Sequence, residues 1–411
     1  MRTLQGNIPG YMIVMILSMG AFGVMGGALV APALPTIGRA FEVPEGQQGF
    51  ILSVYTLAAA LSLPFIGYLI DVIGRRRVAL ACLLIDGAAG VSIIFAPSFG
   101  VVLILRFIQG IGIAGLIPVA MTIIGDLFSG EKRLQIMGYL TGIISLGAAV
   151  IPTLGGALAS FDWRFVFAVY GLGFVFALFF LFTLPETSPF HFNAGSSSDN
   201  NNNQGDKTNQ NTAHKSPIEY INSLFTVFKN KSIRNIMFQP LMNYFFLYAL
   251  VTFFPIFLVT VHGFAEIFNG LALSMQGLFS AIIASRADLA ARFMTWWQRI
   301  SIGFILKGIA FLLMPLWPTG SFLLSISIII YGVGFGIVSP TIYNRATKLP
   351  PQDLIGSVVA IFNTMRFLGM TLSPFLLGII LGFTTLNVVF LIVGVVSIMW
   401  GTFSMSQKMI A

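Results

Sequence analysis

Asp71, Arg75, Arg76 and Arg77 fall within seven positions of the stretch GYLIDVIGRRRVAL at 67–80. Elsewhere the chain avoids charge, since Asp, Glu, Lys and Arg make up 9% of it. A few other ionisable residues stand inside or at the ends of long apolar runs: Asp86, Arg106, Asp126, Lys307 and Arg366. Charges in such surroundings are costly and mark ion or substrate pathways. The chemistry available to them is proton binding, anion binding or charge pairing, not bond cleavage. There is no H-E-x-x-H, no phosphate-binding glycine loop and no ATP-binding domain, and His191, His214 and His262 all fall in expected connections. The single cysteine, Cys82, excludes an internal disulfide and reads as packing within its run. No enzyme activity, catalytic residue, cofactor or metal is expected.

The elements that must hold these residues are membrane helices. Of 411 residues 56% are hydrophobic, with mean hydropathy +0.90, too apolar for a soluble domain. The apolar residues come in runs of about 20, the length of a helix that crosses a bilayer. A β-barrel would alternate apolar and polar positions instead. Twelve spans are expected near 10–34, 47–70, 78–96, 99–127, 135–160, 163–184, 233–260, 265–285, 298–317, 320–345, 354–382 and 386–405. The first is too long for the apolar region of a cleavable signal peptide. The tract NAGSSSDNNNNQGDKTNQNT within 185–232 cannot bury apolar area and is expected to be disordered. It separates an N-terminal bundle (1–184) from a C-terminal one (233–411). At 217–230, Ile218, Ile221, Leu224, Phe225 and Phe228 share one helical face, which predicts an interfacial helix.

Lysine and arginine placement predicts the topology. With the N-terminus inside, inside segments hold 17 of the 22, including Arg75, Arg76, Arg77, Lys132, Arg133, Arg286, Arg292, Arg299 and Arg345. Outside segments hold only Arg39 and Arg164. This bias predicts both termini on the cytoplasmic side of a plasma or inner membrane. It also accounts for the net charge of +8 without nucleic acid, because no basic segment is interleaved with stacking aromatics.

The two halves share spacing. Gly110, Gly112 and Pro118 recur as Gly332, Gly334 and Pro340, and Gly147, Pro152 and Gly156 recur as Gly369, Pro374 and Gly378, every pair offset by 222 residues. Two matches at one offset, six spans apart, argue for duplication. An even number of spans makes the repeats parallel, a geometry suited to two bundles rocking about a midplane site. Each glycine taken singly is explained as well by close helix packing.

The stretch at 67–80 closely resembles the signature loop of the major facilitator superfamily, with Gly67, Asp71, Gly74, Arg75 and Arg76 matching and Val72 standing where an arginine is usual. The resemblance implies that Asp71 caps the positive end of span eleven, near 354, and locks the halves together on the inside, while the arginines pair with Asp71 or lipid phosphate. LRFIQGIGIAG resembles the family's second motif through Arg106, Gln109, Gly110 and Gly112. LGAAVIPTLGG is similar to its antiporter motif through Gly147, Pro152, Gly155 and Gly156, with Ile151 replacing a glycine. SRADLAARF, after span eight, looks like a degraded second copy of the signature loop. The resemblance covers roughly 10–184 and 233–405. It implies an all-α fold of twelve helices in two six-helix repeats, and secondary transport driven by gradients.

Within the spans, Arg106 is the foremost candidate, although spans one, seven and ten offer it no Asp or Glu. Asp86, in a helix usually peripheral in the family, reads either as a structural hydrogen-bonding residue or as a coupling site. Asp126 is assigned to loop packing and Lys307 to the periphery; Arg366 is expected to face the cavity. Gln239, Asn243, Phe246, Leu250 and Phe253 on span seven, with Met12, Met15 and Met19 on span one, are the expected oily cavity walls. The expected function is proton-coupled efflux of lipophilic small molecules by a monomer in the bilayer. The alternative is a permease or exporter of a small organic anion or metabolite.

Overall fold

A computed structural model describes residues 9–183, 231–348 and 355–406. The expected linker at 185–230, with its interfacial helix, and the expected start of span eleven at 354 lie outside the described residues, as does the side chain of Asp71. Among the described residues every regular element is a helix, and twelve helices are long and apolar enough to cross a membrane. They are spans one (Gly10–Ala40), two (Glu45–Ile70), three (Arg75–Phe95), four (Phe99–Leu127), five (Gly130–Phe161) and six (Trp163–Thr183). Spans seven (Asn235–Thr260), eight (Glu266–Ser285), nine (Trp296–Leu316), ten (Leu324–Ala346), eleven (Ile361–Leu381) and twelve (Leu386–Ser406) follow. Span one breaks at residues 29–33, where Pro32 and Pro35 interrupt the amide ladder. Span four breaks at Gly115.

The 222-residue repeat is visible as equivalent packing. A Cβ at Gly110 would run into the Tyr55 carbonyl of span two, and one at Gly332 would stand 2.8 Å from the Gln276 carbonyl of span eight. Gly112 abuts span three at Asp86, and Gly334 abuts span nine at Gly303 and Lys307. Gly156 presses on Gly270 of span eight, and Gly378 on Gly46 beside span two. Each glycine removes the one group that would keep two helix backbones apart. The relation of span two to four thus recurs between eight and ten, and that of five to eight between eleven and two.

Buried apolar side chains form two cores. One draws on the first six spans and adds Tyr248, Leu273 and Met370. The other lies within the last six. Among the described residues, the hydrogen bonds that follow cross the seam at the end of the molecule with few arginines. Ser53 Oγ donates to the Thr371 carbonyl at 3.0 Å, and the Thr56 and Thr371 hydroxyls pair at 3.0 Å. Thr153 bonds Ser274 at 2.7 Å, Asn269 donates to the Pro32 carbonyl at 3.1 Å, and Arg39 and Thr36 both reach Glu266. Toward the arginine-rich end, Gly67, Gly138 and Gly142 have nothing within 4 Å of a Cβ position. The halves are therefore joined from the arginine-poor end to about mid-depth and part beyond it. Gly67, matched to the signature loop, sits exposed within the helix of span two and not in the turn. Only Gly74 makes the turn, at φ 108°, a backbone state unfavourable to other residues.

At the arginine-poor end, His262 is buried against Phe257 and accepts a hydrogen bond from Gly320 N at 3.2 Å through Nδ1. Burial holds its imidazole below the ordinary value of 6.5. The unfolded chain therefore binds the extra proton first, so this stabilisation is complete above 6.5 and falls away as the pH drops below it. Thermal unfolding in detergent should lose midpoint across that window, and His262→Gln should flatten the dependence. In the same assay Gly110→Val and Gly332→Val should each cost about 1–3 kcal/mol. Gly67→Ala should be neutral or stabilise by up to about 1 kcal/mol.

Candidate functional site

The first six spans enclose a buried polar cluster. Arg106 has no exposure and spends its donors on three partners from three spans. Nε donates to the Ile51 carbonyl at 3.2 Å, one Nη to Gln109 Oε1 at 2.8 Å and the other to the Gly26 carbonyl at 2.7 Å. Its guanidinium also lies 4.3 Å from the Tyr55 ring centre. Asp86 is likewise fully buried, and neither carboxylate oxygen has a hydrogen-bond partner. Gln109 and Arg106, on span four, are its polar neighbours. The Nε2 of Gln109 makes no hydrogen bond of normal geometry, so that interaction is a loose one. Span three is therefore not peripheral at Asp86. The glycine at 112 brings span four against the Asp86 backbone, placing the acid beside Arg106. Sequence reasoning treated these two residues separately because spacing does not fix which turn of span three meets which turn of span four.

The last six spans hold the opposite charge at a corresponding place. Lys307 is fully buried, not peripheral as expected. Its Nζ donates to Asn243 Oδ1 at 2.7 Å and lies 3.7 Å from the Phe304 ring centre. Asn243 Nδ2 in turn donates to Ser339 Oγ at 3.1 Å. Gln239 bonds Trp400 and Ser404 of span twelve. Phe246 packs edge-on to Phe304. Gln239, Asn243 and Phe246 thus face the C-terminal core, which corrects their placement on the cavity wall. Leu250 and Phe253 share that core, while Met19 is buried in the N-terminal one. Span seven is apolar on every side, so periodicity could not tell its faces apart. The face turned to the first six spans carries Tyr244, Leu247, Tyr248 and Val251. Two tyrosines four residues apart, in a helix otherwise rich in Phe and Leu, were the available signal.

Arg366 stands on that seam. Its guanidinium lies 4.9 Å from the Tyr244 ring centre, and its Nε is buried with no hydrogen-bond partner. Tyr248 feels the charge of both Arg366 and Arg106, and its hydroxyl would stand 2.7 Å from a Cβ at Gly27 of span one. It therefore lies between the two cations and between the two halves.

In the 67–77 stretch, the three arginines occupy the first turn of span three, where the positive helix end repels them. Local acceptors offset this. Arg75 Nε pairs with Asp126 Oδ2 at 3.1 Å and Nη1 donates to the Ile70 carbonyl at 3.1 Å, while Arg76 donates to the Leu181 carbonyl. Asp126 thereby ties the end of span four to this turn, in line with loop packing. Gly155 backs onto the Leu29 carbonyl, and Gly147 packs near Val24 and Ile151. The spans-eight-to-nine connection forms a short helix, Ala287–Phe293, with no buried residue.

The family model for the Major Facilitator Superfamily matches residues 16–374. The bacillibactin exporter of Bacillus subtilis is 26% identical over 363 residues, 85% of each chain. The multidrug transporter AQR1 of Candida glabrata is 34% identical over 43% of this chain and 30% of its own length, and the multidrug transporter protein MdtP of Bacillus subtilis is 32% identical over 41% and 30%. Among solved structures, a bacterial homologue of the human lysosomal transporter Spinster, inward-facing and unoccupied, superposes with TM-score 0.76 at 16% identity, covering 97% of this chain and 96% of its own. The nucleoside transporter NupG gives 0.77 at 14% identity, covering 96% and 99%.

The contacts of Glu266 with Arg39 and Thr36 close the arginine-poor end. A partly exposed ion pair contributes up to about 1 kcal/mol, so Glu266→Gln should raise modification of a cysteine placed at Thr371, by a membrane-impermeant maleimide, a few-fold. Unchanged modification would remove the pair from the closing contacts.

Proposed function

We propose that this chain, which belongs to the Major Facilitator Superfamily, expels lipophilic small molecules in exchange for protons. It is a multi-pass membrane transport protein and not an enzyme. The finer reading places the arginine-rich end in the cytoplasm, in keeping with the charge bias. In that orientation the described state is closed outside and open inside. Alternation would break the seam around Thr371, Gly270 and Glu266 and bring the halves together at the loop of Gly67, Asp71 and Gly74. Gly67, free of neighbours in this state, is placed for close approach in the other. On this reading the protein works as a monomer of two six-helix units in the plasma or inner membrane.

The observation that carries proton exchange is Asp86. A charged carboxylate buried without donors is costly, and taking up a proton relieves that cost. Arg106, held by Ile51, Gly26 and Gln109, is a fixed counter-charge for the carboxylate. Asp86 can therefore exist in both forms, as a coupling site must. Export as the direction is supported by Pro152, Gly155 and Gly156 and by the exporter and multidrug names of the relatives.

Proteoliposomes loaded with cationic, neutral or anionic lipophilic dyes test the reading. An imposed pH gradient should drive movement of at least one dye. Asp86→Asn should lower that rate by about tenfold or more while leaving dye-for-dye exchange, since the charge-free amide keeps the packing. Dye movement indifferent to the pH gradient would point to a permease instead, and an undiminished rate in folded Asp86→Asn would take the proton site away from Asp86.

A further inference from the structure

The last six spans contain no acid beyond Glu266, the first residue of span eight. The only Asp or Glu residues from 233 onward are Glu266, Asp288 and Asp353, all at span ends or in connections. The same spans hold Lys307 and Arg366 well inside the membrane. Lys307 is fully buried and its ammonium is engaged by Asn243, so it is closed to any substrate. Arg366 differs in each respect. It is half-buried, it makes no hydrogen bond or ion pair among the described residues, and its Nε is a buried donor with nothing to donate to. Its guanidinium is flanked by the rings of Tyr244 and Phe367, 4.9 and 5.4 Å from their centres. Tyr244 is held edge-on by Phe335.

Its position matters as much as its lack of partners. Thr371, which makes the hydrogen bonds to Ser53 and Thr56 that close the seam, lies five residues further along the same helix, about 7.5 Å at the helical rise. Arg366 is therefore just below the closed barrier, on the side where the halves part. Tyr244 and Phe367 beside it pack against the core of the other half, so a molecule held there would touch both halves.

We propose that Arg366 anchors a substrate site for lipophilic acids, taking a carboxylate or similar oxyanion on its guanidinium fork while Tyr244, Phe335 and Phe367 receive the apolar body. An unpaired guanidinium presents parallel N–H donors that match a carboxylate. The surrounding rings exclude water from the pair and offer flat apolar contact. Arg106 does not compete for the acid, because it is fully buried and each of its guanidinium nitrogens already donates. The inference rests on the export reading only in treating the space between the halves as the substrate path.

Isothermal titration of the purified full-length protein with 2-naphthoate, 2-naphthamide and 2-naphthylmethylammonium tests it without any gradient, so its outcome is independent of proton coupling. The wild type should bind the carboxylate about tenfold or more tightly than either isostere, a difference that one charge-assisted hydrogen-bond pair supplies. Arg366→Gln should abolish that preference, leaving weak binding of all three. Arg366→Lys, which keeps the charge but not the fork, should retain only part of it. If the glutamine variant does not fold, the wild-type ranking and the lysine variant decide. Equal binding of amide and acid by the wild type, no binding of the acid, or a preference that survives Arg366→Gln or is unchanged in Arg366→Lys would each overturn the proposal.

Discussion

A charge inside a bilayer must be paired, solvated or used, and the arrangement of this protein turns on which of its charges are left over. Each guanidinium nitrogen of Arg106 donates to a carbonyl or an amide, and the Lys307 ammonium donates to Asn243. Asp86 and Arg366 lack such partners among the described residues: neither carboxylate oxygen of the acid has a donor and the buried Nε of the guanidinium has no acceptor. They cannot neutralise each other directly, because Asp86 is sealed within the first six spans and Arg366 stands on the face of the last six. Tyr248 lies between, reaching the Gly27 backbone while feeling both arginines. Repeat symmetry sharpens the contrast, since Gly112 sets an acid against span four and Gly334 sets a lysine against span ten.

The helices make those two charges matter by letting the halves move as bodies. Small residues allow backbone contact at Gly46, Gly156, Gly270 and Gly378, and hydroxyl pairs at Thr371 and Ser274 close the same seam. Such contacts are shallow, with few interlocking side chains, so one set can be exchanged for another at modest cost. A proton entering while a monoanion leaves would move two charges in the same electrical direction. At about 2.3 kcal/mol per charge per 100 mV, an interior-negative potential would then add to the pH gradient in driving acids outward. A monocation exchanged for one proton would gain nothing from the potential.

Much of this was legible in the sequence, and for identifiable reasons. Bilayer thickness dictates run length, so all twelve spans could be read, and the 222-residue offset named the glycines that now appear in equivalent contacts. The family followed from the 67–80 loop and the Arg106 motif and is borne out by the family match. What failed to show was rotation and register. Span seven is oily all round, so Gln239, Asn243 and Phe246 were assigned to the wrong face and Tyr244 and Tyr248 were missed. Lys307 was set at the periphery, and Asp86 was left between a structural and a coupling role, because hydropathy carries no information on which helix side meets which neighbour. The open end was equally hidden, since a sequence that alternates must be compatible with both ends closing.

Charge movement tests the central claim most directly: that a proton on the first half is exchanged for an acid on the second. Proteoliposomes adsorbed on a capacitive electrode, given a 2-naphthoate gradient, report net charge moved per turnover. The account predicts a current in the direction of positive charge moving against the naphthoate flow. It further predicts that the current is larger than naphthoate flux alone can supply and that Asp86→Asn lowers current and net flux together, by about tenfold or more. A current equal to the naphthoate flux in the wild type, or none while naphthoate moves, would contradict it.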